Sequence, residues 1–227
     1  MELSLRMEQV VAMAETCSAA ADIGCDHGYV SIELIRRKIA GTVIAMDVRQ
    51  GPLSRAQEHI EREHLTGQIQ CRLSDGLEKL QPGEVQEIVI AGMGGPLMIR
   101  ILENGRESLG RVQTLVLQPQ SEIPEVRRYL HKSGWKIRQE TMIKEEGKYY
   151  TVIQAKPGKE TYERPLEYQY GACLLRDRCG IFEEYLKQEE KQYETICRRL
   201  ERENTRKAIE RLEEVRLLLE QNREAQR

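Results

Sequence analysis

The chain has 227 residues, of which 40% are hydrophobic and 32% charged, with a formal net charge of −2. That length holds one medium domain and an appendage, and the composition excludes a disordered chain or one that binds nucleic acid through overall positive charge. A local basic patch is compatible with a near-neutral total. Cys17, Cys25, Cys71, Cys173, Cys179 and Cys197 contain no CxxC pair and no grouping with histidine, so neither a metal site nor a disulfide framework is expected. They read as reduced thiols of a cytoplasmic protein. No leader-like segment or long apolar run suggests secretion or membrane insertion.

Met7, Val10, Val11 and Ala14 stand at helical spacing and predict a first helix. Ala19 to Ile23 is a short strand ending at Gly24, and Thr42 to Asp47 is a second strand ending in an acid. Leu53, Ala56 and Ile60 mark one helix face, with Pro52 in its first turn. Ile69 to Leu73, Ile88 to Ala91 and Val112 to Leu117 complete five strands. A helix over about 124–133 precedes two strands, Trp135 to Lys144 and Tyr149 to Lys156, that turn at Glu146-Gly147. Five alternating βα units and a closing hairpin match a Rossmann-like class I methyltransferase: an α/β fold with a mostly parallel seven-stranded sheet and one antiparallel strand.

Pro157-Gly158-Lys159 reads as a linker, giving a catalytic domain over 1–157 and a second domain over 158–227. In the latter, Phe182, Leu186, Tyr193, Ile196 and Leu200 form one stripe, and Ile209, Leu212, Val215 and Leu219 another. Two long helices with a turn near Asn204 and Thr205 would form an α-helical, coiled-coil-like hairpin.

The turn after strand one reads Asp22-Ile23-Gly24-Cys25-Asp26-His27-Gly28-Tyr29. A dinucleotide fingerprint needs a glycine where Asp26 stands, and a carboxylate there repels a diphosphate. S-adenosylmethionine carries a sulfonium and an ammonium and no phosphate, so acids suit it. Asp47, about twenty residues on, is placed to accept both ribose hydroxyls. Asp75, after strand three, is placed for the adenine amine. Ala91-Gly92-Met93-Gly94 after strand four offers close backbone approach without an acid or base. The candidate cofactor site is therefore Asp22, Gly24, Cys25, Asp26, His27, Gly28, Asp47, Val48, Asp75, Gly76, Ala91, Gly92, Met93 and Gly94.

These runs, with Leu3-Ser4-Leu5-Arg6-Met7, Asp47-Val48-Arg49-Gln50-Gly51-Pro52, Leu117-Gln118-Pro119 and Lys148-Tyr149-Tyr150, resemble the bacterial tRNA adenine-22 N1-methyltransferase family in order across the catalytic region. The Asp-His turn and the Ala-Gly-Met-Gly-Gly loop are more specific than generic methyltransferase motifs. The chain departs from the family's usual pattern at Gly28-Tyr29-Val30-Ser31, at Gln120 and at Thr151.

The resemblance implies methyl transfer from S-adenosylmethionine to N1 of a D-loop adenine, leaving S-adenosylhomocysteine, with a C-terminal domain implicated in tRNA binding. Asp26 is the catalytic candidate, either for charge developing on the base or for the cofactor ammonium. Arg6, Tyr29, Gln118, Arg127, Arg198 and Arg199 are candidate tRNA contacts, with Arg128, Arg202, Arg206 and Lys207 as further basic residues. His27 and Tyr29 either orient the base or pack at a helix start. A monomer or weak dimer is expected. Two other readings stay open: a methyltransferase of a small molecule or protein, and a non-catalytic nucleotide-binding domain with an assembly helix pair.

Overall fold

The computed structural model describes residues 3–203 and 205–227. The described chain divides into two compact units, one ending at Thr161 and one running from Tyr162 to Arg227. The first opens with α1 (Leu5–Ala12), which starts earlier than its apolar stripe because the Ser4 side chain accepts from the Met7 amide. It continues through β1 (Cys17–Ile23), α2 (Tyr29–Arg36), β2 (Ala40–Asp47), α3 (Gln50–Arg62), β3 (Ile69–Leu73) and β4 (Glu87–Met93). Next come α4 (Gly95–Asn104), α5 (Arg106–Leu109), β5 (Thr114–Pro119), α6 (Ile123–Lys132), β6 (Trp135–Glu145) and β7 (Lys148–Pro157).

These strands form one sheet of seven in the order β3-β2-β1-β4-β5-β7-β6. All neighbouring pairs are parallel except those made by β7, which runs antiparallel to β5 and β6. β1, β2, β4 and β5 are buried along most of their length, as strands covered on both faces must be. Successive strands are added outward in one direction from β1 to β3 and in the other from β4, so a crevice opens at the switch point beyond the carboxyl ends of β1 and β4.

β5 starts two residues later than its apolar run suggests. The Val112 amide is still held in a turn by the Leu109 carbonyl, and pairing with β4 begins at Thr114 opposite Glu87. This shift puts Gln118 inside the strand.

The second unit contains two short helices, α7 (Pro165–Tyr170) and α8 (Ala172–Asp177), then α9 (Gly180–Leu200) and α10 (Arg206–Ala225). α9 and α10 run antiparallel: Asn222 donates to the Leu186 carbonyl, Arg223 pairs with Glu190, and Arg216 pairs with Glu201. Cys197, Leu200, Ala208 and Val215 are buried between them. Thr205 caps α10 by accepting from the Ala208 amide; the expected turn residue Asn204 lies outside the described residues. Among the described residues no helix is long and apolar enough to cross a membrane.

Candidate functional site

A cleft of about 700 Å³ opens at the carboxyl ends of β1, β2 and β4. Its floor is the turn after β1. Gly24 (φ +73°) donates to the Met46 carbonyl at 2.7 Å, and the Cys25 amide donates to the same oxygen at 3.0 Å. A Cβ on Gly24 would stand 2.2 Å from Met93 Cε, the movable end of a flexible side chain, so the left-handed φ more than crowding is what calls for glycine here. Asp26 (φ +47°) and Gly28 (φ +74°) reverse the chain into α2. The Gly28 position leaves 3.1 Å from an ideal Cβ to Ala56 Cβ, which lets α3 lie close against the turn.

Two carboxylates lie deep in this cleft. Asp22 is 3% exposed and accepts from Ser31 Oγ at 2.7 Å. Burial, reinforced by the charge of Asp47, pushes its pKa up to about 6. Asp47, 5% exposed, accepts from the Arg49 amide at 2.8 Å and from the Asp26 amide at 3.4 Å. Between them Cys25 is kept as a protonated thiol, its pKa raised first by burial and then by Asp22 and Asp47. Asp26 and Asp75 add two more carboxylates to the lining, both exposed. Asp26 lies 3.5 Å from His27 Nε2 and 3.5 Å from Arg55 Nη2. A buried carboxylate whose pKa is raised by burial and by a neighbouring acid is relieved by a bound cation, and a phosphate here would be repelled.

The opposite wall is a β-bulge. Gly92 (φ +76°) interrupts the pairing of β4 with β5. Its amide donates to Gln118 Oε1 at 3.0 Å, and Arg6 Nη1 donates to the same oxygen at 2.9 Å. The Arg6 guanidinium lies 5.2 Å over the Tyr150 ring and 3.9 Å from Glu145.

Of the sequence-derived cofactor residues, all but Gly28 and Gly94 line the cleft; those two shape it as the residues that cap α2 and α4. Arg6 and Tyr29 also line it. Two expected tRNA contacts need correction. Gln118 is fully buried, its oxygen taken by Gly92 and Arg6 and its amide donating to the Pro119 carbonyl, so it braces the bulge; exposed Gln120 lines the cleft instead. Arg127 is 1% exposed and donates through Nε to Glu140 at 2.7 Å, so it is a buried ion-pair partner with no access to a phosphate. Arg128 is exposed on α6, 3.5 Å from Glu125. Arg198 and Arg199 are exposed on the last turn of α9, Arg202 follows that helix, and Arg206 and Lys207 open α10.

Sequence reasoning missed Ser31, Ser74, Leu97 and Arg100. Ser31 lies within an apolar helix and points inward, and Ser74 holds the turn before Gly76 through its hydroxyl. Leu97 and Arg100 are cleft residues on α4, one helical turn apart and both exposed. The sequence carried a signal only for the last pair, as neighbours on one helix face just past the glycine loop.

Comparison with known proteins gives a consistent answer. The family model of TrmK, tRNA (adenine(22)-N(1))-methyltransferase, matches residues 20–221. The tRNA (adenine(22)-N(1))-methyltransferase of Bacillus subtilis (strain 168) is 35% identical over 158 residues, which cover 70% of this chain and 66% of that protein. The chain spans between 60% and 66% of the length of the curated relatives it matches. Streptococcus pneumoniae Sp1610 in complex with S-adenosyl-L-methionine superposes with a TM-score of 0.89 at 29% identity, all of both chains being covered. M. capricolum TrmK in complex with S-adenosyl-homocysteine superposes at 0.86 with 25% identity, covering 99% of this chain and 97% of that one. With the model match running through nearly all of both units, this chain belongs to the tRNA (adenine(22)-N(1))-methyltransferase family.

Proposed function

We propose that the chain transfers a methyl group from S-adenosylmethionine to N1 of adenine 22 in the D-loop of tRNA. The observation that carries this reading is the cluster of four carboxylates, Asp22, Asp26, Asp47 and Asp75, around a glycine turn hostile to phosphate. Bound there, the cofactor supplies an electrophilic methyl on a sulfonium. Asp47 is assigned to the ribose hydroxyls, Asp75 to the adenine amine and the buried Asp22 to the ammonium. Gly24 and the Ala91–Gly94 loop give close backbone approach.

Adenine N1 has an in-plane lone pair at neutral pH, so it needs positioning and desolvation more than a strong base. The ring becomes cationic as the methyl arrives. Asp26 is more exposed than Asp22 and adjoins the His27 ring, which suits it to stabilise that charge. The basic residues Arg198, Arg199, Arg202, Arg206 and Lys207 are assigned to tRNA phosphates, which position the substrate without reading its sequence. The same proposal takes residues 1–157 as the catalytic domain and 158–227 as a tRNA-binding helical domain, in a cytoplasmic protein. The test is nucleoside analysis of unmodified bacterial tRNA incubated with the protein and S-adenosylmethionine. N1-methyladenosine is the expected product; methylation at another atom, or none with the cofactor bound, refutes the reading.

A further inference from the structure

Two aromatic rings of the cleft lining, His27 and Tyr29, were given no group of the cofactor to hold, and the ring of His59 packs beside them. His27 and Tyr29 leave the turn after β1, and His59 comes from α3. Their centroids are 5.4 Å apart for His27–Tyr29, 5.0 Å for Tyr29–His59 and 5.8 Å for His27–His59. The interplanar angles are only 15°, 19° and 26°. Three mutually neighbouring rings lying nearly parallel make an offset plate, not a herringbone core contact.

Backbone geometry builds the plate. The left-handed residues Asp26 and Gly28 flank His27 and bring its ring beside that of Tyr29. The close approach of Ala56 to Gly28 brings α3 within reach. There His59 Nδ1 lies 2.9 Å from the His27 carbonyl. A carbonyl only accepts, so Nδ1 carries a proton and the His59 ring is fixed in orientation. His27 Nδ1 is buried without a hydrogen-bond partner, a cost that ordinary helix-start packing gives no reason to bear.

We propose that His27 and Tyr29, held by His59 as a positioning residue, form the surface on which the everted target adenine stacks. The inference rests on the tRNA reading above and deepens it. N1 lies on the Watson–Crick edge, so the base must leave its stack before reaction, and an aromatic plate replaces the stacking it loses. The Tyr29 face does more as the reaction proceeds: the base gains positive charge, and a ring face attracts a cation. Stacking therefore strengthens towards the transition state, which is where binding accelerates chemistry. Asp26, 3.5 Å from His27 Nε2, puts a carboxylate beside the same surface.

The test uses tRNA carrying 2-aminopurine at position 22, bound at saturating protein with S-adenosylhomocysteine. Stacking on a ring quenches 2-aminopurine, so the wild-type complex stays dim. Tyr29→Leu and His27→Leu give complexes several-fold brighter, and Tyr29→Phe stays dim. His59→Leu brightens the complex and raises the KM for unmodified tRNA about fivefold or more, with cofactor affinity within twofold of wild type as evidence that the cleft is folded. His59→Phe, which restores a ring without the hydrogen bond, recovers part of the quench. A bright wild-type complex, or leucine variants as dim as wild type with unchanged KM, overturns the plate while leaving methyl transfer to tRNA intact. Absence of any methyl transfer to tRNA by the wild type is the distinct outcome that removes the underlying reading.

Discussion

Asp22 is enclosed by β1 and α2, receives hydrogen bonds from Ser31, and shares its surroundings with the charge of Asp47. Its pKa, raised from 3.8 to about 6, means that the folded protein holds this proton more tightly than the unfolded chain does. Protonation therefore favours the fold as pH falls through 6, while the ionised form needed by a cationic ligand is lost over the same range. Cofactor affinity is predicted to drop as pH is lowered from 7 to 5, and Asp22→Asn should bind weakly with a flat profile there. Calorimetric titration of S-adenosylmethionine across that range checks both; a wild-type profile that is already flat removes Asp22 from the ligand set. Asp47→Ala should weaken the cofactor about tenfold or more by the same measurement. Asp26→Asn should slow single-turnover methyl transfer by about 10- to 100-fold while sparing cofactor affinity, the pattern of a group that acts on developing charge. These acids were legible in the sequence because strand ends and a glycine turn fix where they stand. Gln118 and Arg127 were not, because their type suggests exposure and only packing between distant segments shows that they are buried.

α6 and β6 are joined by the Arg127–Glu140 pair, whose side chains are 2% and 0% exposed. Removing one partner leaves the other charged and buried, so Arg127→Ala should destabilise the protein by about 3–5 kcal/mol. Replacing both, Arg127→Met with Glu140→Leu, should cost much less. Thermal denaturation of the single and double variants distinguishes this account from one in which Arg127 serves tRNA, where stability would be unchanged and tRNA affinity would fall. The strands of this unit were readable as apolar runs bounded by turn residues, and β3 matches its expected limits. For α2 the sequence marks only a helix start at His27 and Tyr29 and not its extent, since Val30, Ile32, Leu34 and Ile35 are all buried and such a segment carries no clear polar face. The glycine loop similarly hid the start of α4, and six-residue helices such as α7 and α8 are too short for periodicity to register.

The mostly parallel seven-stranded sheet with one antiparallel strand was legible from connectivity, because alternating strands and helices closed by a hairpin admit few arrangements, while the strand order itself is seen only in the structure. The antiparallel pairing of α9 and α10 follows from two apolar stripes separated by a polar gap. What fixes its register was invisible: buried Asn222 bonds to the Leu186 carbonyl and to Glu189, which also accepts from Tyr170 and Tyr185. At the end of α9, reversing charge at Arg198 and Arg199 to Glu is predicted to weaken tRNA binding about tenfold at moderate salt and to leave cofactor affinity unchanged. Filter binding over a salt series tests it, and equal affinity with an equal salt slope would assign this helix pair a purely structural role. For the molecule as a whole, the decisive measurement is transfer of labelled methyl from S-adenosylmethionine to two unmodified tRNAs that differ only at position 22. The account predicts stoichiometric labelling when that base is adenine and none when it is guanine. Equal labelling of both, or of neither while the cofactor binds, would contradict it.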